Sequence, residues 1–408
     1  MKPPVNRGLS AWLPGRLTTL VMNRLILIIF LLMASFAGHA AIHFLTISDI
    51  HYGALNTDGD GQDTGQSLLK LAMKKYAQLS RQADFIITLG DLPTHLLGYA
   101  PVKADYEKAV FHALYEANKG KKTLFYVPGN NDALQGNYQP FNAAHKTPLD
   151  LAADWEGACA YCEGLLLDDS AMARDGYYAS YVKPGNHDII LIVLNTTLFS
   201  HTPFFLPSYP RQQEAANRQL HWLKRQLSTY KARQLLIAMH IPPGNNFKGE
   251  PLWHDAYQQA FIRLLDAAQP RYGQISLLTS HTHMDEIRQI KLSQSTVYAY
   301  STPSISRDHH NYSGMKLFKL NDKILLADFT TYYTRASNAW RNDCYAALDG
   351  PDTIFPQCAS PTLASCLDAL STLEVCNRLE QGHYYGVKSD KVASKVCAHF
   401  YQVNPRKG

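Results

Sequence analysis

Ile42-His43-Phe44-Leu45-Thr46-Ile47-Ser48-Asp49-Ile50-His51 is an apolar run that ends in a carboxylate and an imidazole two residues apart. Its weak alternation reads as a buried strand followed by a polar strand end. Four later stretches are built alike. Phe85–Leu89 runs into Gly90-Asp91, and Lys122–Val127 into Gly129-Asn130-Asn131-Asp132. Gln234–Met239 ends at His240, and Ile275–Thr279 precedes His281-Thr282-His283. Helical spacing fills the first two gaps, through Leu68, Leu69, Leu71, Ala72 and Tyr76 in Ser67–Gln82 and again over Ala104–Asn118. Strand–helix–strand alternation predicts an α/β core. Adjacent strand ends in one sheet lie close together, so the polar clusters are expected to converge.

The donors so gathered would be Asp49, His51, Asp91, Asn130, His240, His281 and His283. Oxygen and nitrogen atoms in this number suit two adjacent divalent metals, with zinc, manganese or iron favoured over calcium by the mixed ligation. Two metals about 3.5–4 Å apart bring a bound water towards a pKa of roughly 7 and clamp phosphate-ester oxygens. Any one cluster alone is weak, since a lone histidine after a strand is more often structural. Five in this order predict a binuclear metal hydrolase.

The pattern D-x-H, G-D, G-N-x-D, H and H-x-H, over Ile42 to Asp328, resembles that of calcineurin-like metallophosphoesterases. The resemblance implies a four-layer α/β sandwich of two mixed sheets. It implies one metal on Asp49, His51 and His283, a second on Asn130, His240 and His281, and Asp91 bridging them. The longer motifs His240-Ile-Pro-Pro-Gly244, His281-Thr-His-Met-Asp-Glu286, Gly90-Asp-Leu-Pro-Thr-His95 and Thr302-Pro-Ser-Ile-Ser306 are similar to the acid sphingomyelinase-like phosphodiesterases. A cysteine-rich helical tail also fits that subfamily, and endopolyphosphatases are similar too. The implied substrate is a phosphodiester or phosphoanhydride: a sphingomyelin-like lipid, a nucleotide or polyphosphate. A phosphomonoesterase and a metal-binding module without turnover stay open as alternatives.

The chain departs from the family pattern twice. Asn131 stands where G-N-H-D places a proton-donating histidine, and an amide can contact phosphate but not protonate a leaving group. His95 is the expected substitute acid, with Asn131 and His95 both expected at the substrate. Ser280 replaces the glycine that usually precedes H-x-H, with little effect expected. Gly185-Asn186-His187-Asp188 spells the third motif in full, but it follows Tyr181-Val-Lys-Pro184 where a hairpin turn belongs and is rejected as the metal site. His309 and His310 are expected to be loop residues. Trp253, His254 and Tyr257 are divided between the substrate cleft and ordinary packing.

Outside the clusters, the net charge of +5 falls almost wholly in the first 40 residues. These carry Lys2, Arg7, Arg16 and Arg24 and no acid, so the remainder holds 35 basic against 34 acidic side chains. Nothing marks a nucleic-acid surface. Met22-Asn23-Arg24, an apolar run over Leu25–Phe36 and Ala37-Gly38-His39-Ala40 read as a leader cleaved after Ala40. The run is short for a membrane span, which needs about 20 residues. A secreted or periplasmic protein is expected, with an uncleaved N-terminal anchor as the alternative. The division is thus 1–40 leader, 41–330 hydrolase domain and 331–408 helical cysteine-rich segment. All seven cysteines follow the leader, and export permits disulfides. Because seven is odd, at least one thiol stays free or pairs between chains. Cys159-Ala-Tyr-Cys162 is read as a loop disulfide in preference to a redox motif. Phe204-Phe205-Leu206 is a candidate for peripheral membrane contact if it is exposed. Gly136–Arg174 reads as an irregular excursion over the site.

Overall fold

The computed structural model describes residues 1, 41–53, 59–95, 100–336, 338–383 and 396–403. The leader reading falls on residues 2–40 and lies outside them. No helix among the described residues is long and apolar enough to cross a membrane.

Residues 41–408 carry two seven-stranded mixed sheets. In the first sheet, β1 (Ile42–Ile47), β2 (Phe85–Thr88) and β3 (Thr123–Tyr126) run parallel. They are extended on one side by β4 (Cys159–Ala160). The second sheet begins at β5 (Leu166–Asp168), β6 (Tyr178–Lys183) and β7 (Asn186–Leu194). It continues through β8 (Ala232–Met239), β9 (Tyr272–Thr279), β10 (Ile287–Lys291) and β11 (Thr296–Ser301), with β7, β8, β9 and β11 parallel. The chain then returns to the first sheet as β12 (Ser313–Leu320), β13 (Leu326–Thr334) and β14 (Cys344–Ala346).

Side-chain alternation builds the layers. Leu191, Val193, Leu236, Ala238 and Leu278 of the second sheet share one core with Phe44, Leu45 and Ile86 of the first. Their neighbours Ile190, Ile192, Leu235, Ile237 and Leu277 point the other way, to a core completed by Trp222, Leu223, Phe261 and Leu265. Those four belong to the helices Gln212–Thr229 and Asp255–Ala268. The helix Gln66–Ser80 supplies Leu68, Ala72 and Tyr76, and the helix Ala100–Ala117 supplies Phe111, to the first core. The expected four-layer α/β sandwich is thus formed.

Five strands differ from the sequence reading, in three stretches of the chain. The expected change to helix at Thr331 does not occur, because β13 and β14 carry the first sheet past that point, and helices begin at Leu363. A three-residue edge strand has too few positions to show alternation. Strand β10 was hidden by Glu286 and Arg288, which read as polar but are both buried and pair with each other (2.7 Å). Gly136–Arg174 leaves the edge of one sheet through β4 and joins the edge of the other through β5. Disulfides join Cys159–Cys162, Cys358–Cys366 and Cys376–Cys397, and Cys344 is the free thiol. Cys159 and Cys162 are buried, as a closed structural bridge requires.

Candidate metal centre

Every predicted ligand follows the carboxyl end of a parallel strand: Asp49 and His51 after β1, Asp91 after β2, Asn130 after β3, His240 after β8, and His281 and His283 after β9. The two sheets therefore face each other with loops at one end. Five of these seven residues hold left-handed backbone: Asp49 (φ 47°), His51 (45°), Asp91 (55°), His281 (72°) and His283 (62°). Glycine is needed beside them. A methyl group on Gly90 would strike the Gly129 backbone, and one on Gly129 would strike Asp91.

The structure brings the set together. Atoms of Asp91, His240 and His281 lie within 4.8 Å of one another, as do atoms of Asp49, His51 and Asp91. Asp91 is common to both groups, the place expected of a bridging carboxylate. His240 Nε2 lies 3.1 Å from Asp91 Oδ2, and His51 Nε2 3.6 Å from the same oxygen. His283 Nε2 lies 3.4 Å from Asp49 Oδ1 and 3.2 Å from His51 Nε2. All but His281, which is half-buried, are shielded from solvent.

The tautomers make these approaches informative. His240 Nδ1 donates to the Leu89 carbonyl (2.7 Å), and His51 Nδ1 to that of Pro93 (3.1 Å). Carbonyls only accept, so in the neutral rings each Nε2 presents a lone pair to carboxylate oxygens. Asn130 behaves likewise. Its Nδ2 donates to Asn137 Oδ1 (2.8 Å), while its Oδ1 is buried and finds no hydrogen-bond partner among the described residues. Among the same residues, Asp49 Oδ1 and His240 Nε2 are buried without one as well. Lone pairs converging on lone pairs need cations between them. The residues therefore fit two metal ions, or protons in their place.

The ionisation pattern agrees. Burial pulls His51 and His240 down, but the surrounding carboxylates, Asp49 and Asp91 foremost, outweigh it and raise both to about 9. Burial likewise works against Asp91, yet the charges of His240, His51 and His281 hold it well below the usual carboxylate range. His281 is pushed down to about 3 by burial and by His240, and His283 falls by burial and by His309 and His51. Those two rings are ready as neutral ligands.

A cavity of about 340 Å³ opens over this cluster, lined by Asp91, His95, Asn130, Asn131, His281 and His283 on its polar side. Tyr138, Pro203, Phe205, Phe247 and Leu252 supply its apolar side. Phe204 and Phe205 are exposed, so the Phe-Phe pair flagged in the sequence forms a lip rather than part of the core. His95 stacks on His51 at 3.7 Å. Asn131 is turned onto Asp91, with its Nδ2 donating to Oδ2 (2.9 Å) and its backbone N–H to Oδ1 (2.8 Å).

Several residues exceed or depart from their sequence reading. Ser280 reaches His240 Nδ1 at 3.0 Å and so helps to aim that ring. His309, expected as a loop residue, lies on the cavity wall 4.6 Å from the His283 ring. His310 pairs with Asp60 (3.5 Å). Trp253 is core, and His254 and Tyr257 line a separate groove with Gln212 and Asn217. Asn186 and His187 lie in the β6–β7 hairpin, where His187 packs on Tyr181. Asp132 and Asp63 were missed as supporting residues. Asp132 was visible within the third motif, whereas Asp63 sits in a Gly/Asp-rich loop with no distinctive spacing.

Two packed mixed sheets with a buried Asp/His/Asn cluster across their strand ends define a metallophosphoesterase-type fold and site. The chain belongs to the calcineurin-like phosphoesterase family, whose model matches residues 42–285. It is similar to "Sphingomyelinase phosphodiesterase D" of Dictyostelium discoideum, at 26% identity over 257 residues, covering 61% of this chain and 52% of that protein. "Sphingomyelin phosphodiesterase A" of the same organism is 21% identical over 323 residues, covering 71% and 52%. The chain thus spans about half the length of these curated relatives. Among solved structures it is similar to a dimetal phosphatase from Danio rerio, with a TM-score of 0.45 and 12% identity, covering 72% of this chain and 95% of that one.

Proposed function

We propose that the chain is an exported binuclear-metal hydrolase of phosphodiester or phosphoanhydride bonds. The observation that carries this reading is the convergence of buried, tautomer-locked lone pairs around Asp49 and Asp91. In this assignment Asp49, His51 and His283 hold one ion, Asn130, His240 and His281 the other, and Asp91 both. When bound, zinc, manganese or iron would neutralise the phosphoryl oxygens and lower the pKa of an attacking water. The chain's own residues do the rest. Asn131 clamps the Asp91 carboxylate in register. His95, at the cavity, holds the proton for the leaving oxygen, and Asn131 lies beside it at the phosphate. Tyr138, Phe205, Phe247 and Leu252 keep water from the ester's organic part.

That apolar wall favours a substrate with an organic group on the phosphate. The curated relatives carry sphingomyelin phosphodiesterase names, so a sphingomyelin-like lipid is the first natural substrate to test, before nucleotides and polyphosphate. The exposed Phe204-Phe205 lip supports peripheral contact with a lipid surface. Three disulfides support export. Within this reading, residues 41–330 are the hydrolase domain and 331–408 a stapled segment completing it.

The test is hydrolysis of bis-p-nitrophenyl phosphate and p-nitrophenyl phosphate after chelation, with manganese or zinc restored, for wild type and Asp91→Asn. Metal-dependent diester cleavage that Asp91→Asn abolishes supports the proposal. Cleavage of the monoester alone overturns it in favour of a phosphatase. Two bound metals with no turnover on either ester, on sphingomyelin or on polyphosphate leave a binding module.

A further inference from the structure

Asp63 lies outside the metal cluster and outside every motif, yet its side chain is fully engaged. Oδ2 accepts from Thr94 Oγ1 (2.7 Å) and from the backbone N–H of His95 (2.8 Å). Oδ1 faces His95 Nδ1 at 2.8 Å and accepts from Ser306 Oγ at 3.2 Å. Backbone bonds pin its loop on both sides. Thr64 N–H donates to the His51 carbonyl (3.0 Å), and Gly61 N–H to that of Arg307 (2.8 Å). Four donors on one carboxylate leave it no acceptor capacity for a proton.

We propose that Asp63 is the positioning residue for leaving-group protonation: it fixes His95 with a proton on Nδ1, so that Nε2 is the nitrogen left for the substrate. The inference rests on reading His95 as the acid. Stacking on His51 fixes the plane of the ring, and Asp63 fixes its rotation within that plane. As the P–O bond breaks, its electron pair passes to the leaving oxygen, which takes the proton from His95 Nε2. The proton lost by the attacking water returns to the imidazole through solvent. A carboxylate on Nδ1 stabilises the charged ring before transfer and prevents the unproductive tautomer after it.

The experiment uses the zinc-loaded full chain and a series of aryl methyl phosphodiesters, from p-nitrophenyl to phenyl leaving groups. A good leaving group needs no proton and a poor one does. For His95→Gln, kcat should fall about 10²–10⁴-fold on the phenyl ester, the usual range for a general acid, and at least about tenfold less on the p-nitrophenyl ester. Asp63→Asn should show the same split, at least about tenfold between the two esters, with KM and zinc content unchanged. A split in His95→Gln without one in Asp63→Asn overturns the role of Asp63 and leaves His95 as the acid. No split in His95→Gln removes both. Asp63, His95 and Asp308 also lie within 4.8 Å of one another. Loss of one zinc per chain in Asp63→Asn would make them a metal site and overturn the proposal. Nuclear magnetic resonance decides even if that variant does not fold. Wild type labelled at histidine nitrogen should show a low-field Nδ1–H proton that His95→Gln removes, and its absence refutes the inference.

Discussion

Asp132→Asn tests whether the third motif is a hub that holds the metal-site loops together. Asp132 is fully buried. Its Oδ2 accepts from the backbone N–H groups of Gly129 (2.7 Å) and Asp91 (3.1 Å) and from the Tyr126 hydroxyl (2.9 Å). Its Oδ1 accepts from Leu92 N–H (2.8 Å). Bonds to a charged acceptor contribute about 1.5–3 kcal/mol each and neutral ones about 0.5–1.5. Asparagine can keep three donors on its oxygen, but its amide then faces Leu92 N–H, donor against donor. One charged bond is lost and three weaken by about 1 kcal/mol each, a gross loss of about 5 kcal/mol. Burial and the Asp91 charge both act against an ionised Asp132, raising its pKa, so removing the charge returns part of this. The expected net loss is about 2–4 kcal/mol, which a domain of ordinary stability survives. With a urea dependence of about 3 kcal/mol per molar, the unfolding midpoint should fall by about 1 M. Metal retained after desalting should fall too, because the Asp91 backbone tie weakens and the Leu92 tie beside it is lost. A midpoint within about 0.2 M of wild type, with an unchanged slope and full metal content, would refute the hub.

Three further outcomes are expected. Glu107 is fully buried with neither carboxylate oxygen hydrogen-bonded among the described residues, and burial followed by Asp132 raises its pKa well above 4.5. A raised carboxyl stabilises the native state only while protonated, so Glu107→Gln should become more stable than wild type as pH rises above about 4.5; parallel melting curves from pH 4 to 8 would sink this. His51 and His240, raised from 6.5 to about 9, lend the metal-free protein stability that is complete below pH 6.5 and lost as pH rises through about 9. Metal loading at pH 7 should therefore release about two protons per chain, measured by calorimetry in buffers of different ionisation enthalpy, and release near zero would contradict the assignment. The Cys376–Cys397 bridge holds a tail that bonds to Gln289 and, through His399, to the Phe247 carbonyl at the cavity (3.1 Å). Cys376→Ser should cost about 3 kcal/mol and raise KM for the diester more than it lowers kcat; an unchanged KM would detach the tail from the cavity.

The strand ends were legible because each couples an apolar run to a polar stop, and the parallel sheet then does the gathering. The ligand set could be written down for that reason, although its residues span Asp49 to His283. The supporting groups were not legible. Asp63 reaches His95 from a loop that is joined to the β11–β12 connection through Ser306, Arg307 and His310, contacts without local periodicity. Arg288 looked exposed by type, but Glu286 and the carbonyls of Pro243 and Asn245 satisfy its guanidinium in the interior. The apparent third motif at Gly185 shows the converse. Its residues match in type, and only the place in a hairpin denies them the cavity.

The left-handed residues explain how the site stays in place. Each such non-glycine conformation costs roughly 1–3 kcal/mol and persists only if its surroundings determine it. Here the surroundings come from both sheets. Asp49 N–H donates to Gly90 O (3.0 Å), His51 N–H to Asp91 O (3.1 Å) and Ser306 N–H to Asp49 O (3.0 Å). His240 Nδ1 reaches across to Leu89 O after β2, and His281 N–H to Asp49 Oδ2 (3.3 Å) after β1. Loops from one sheet thus set the backbone and ring orientation of ligands from the other. Glycine would relieve the strain at all five positions, but it carries no ligand atom. The local rule is broken where a side chain is needed for chemistry, and the cross-sheet bonds hold the strained loops in register.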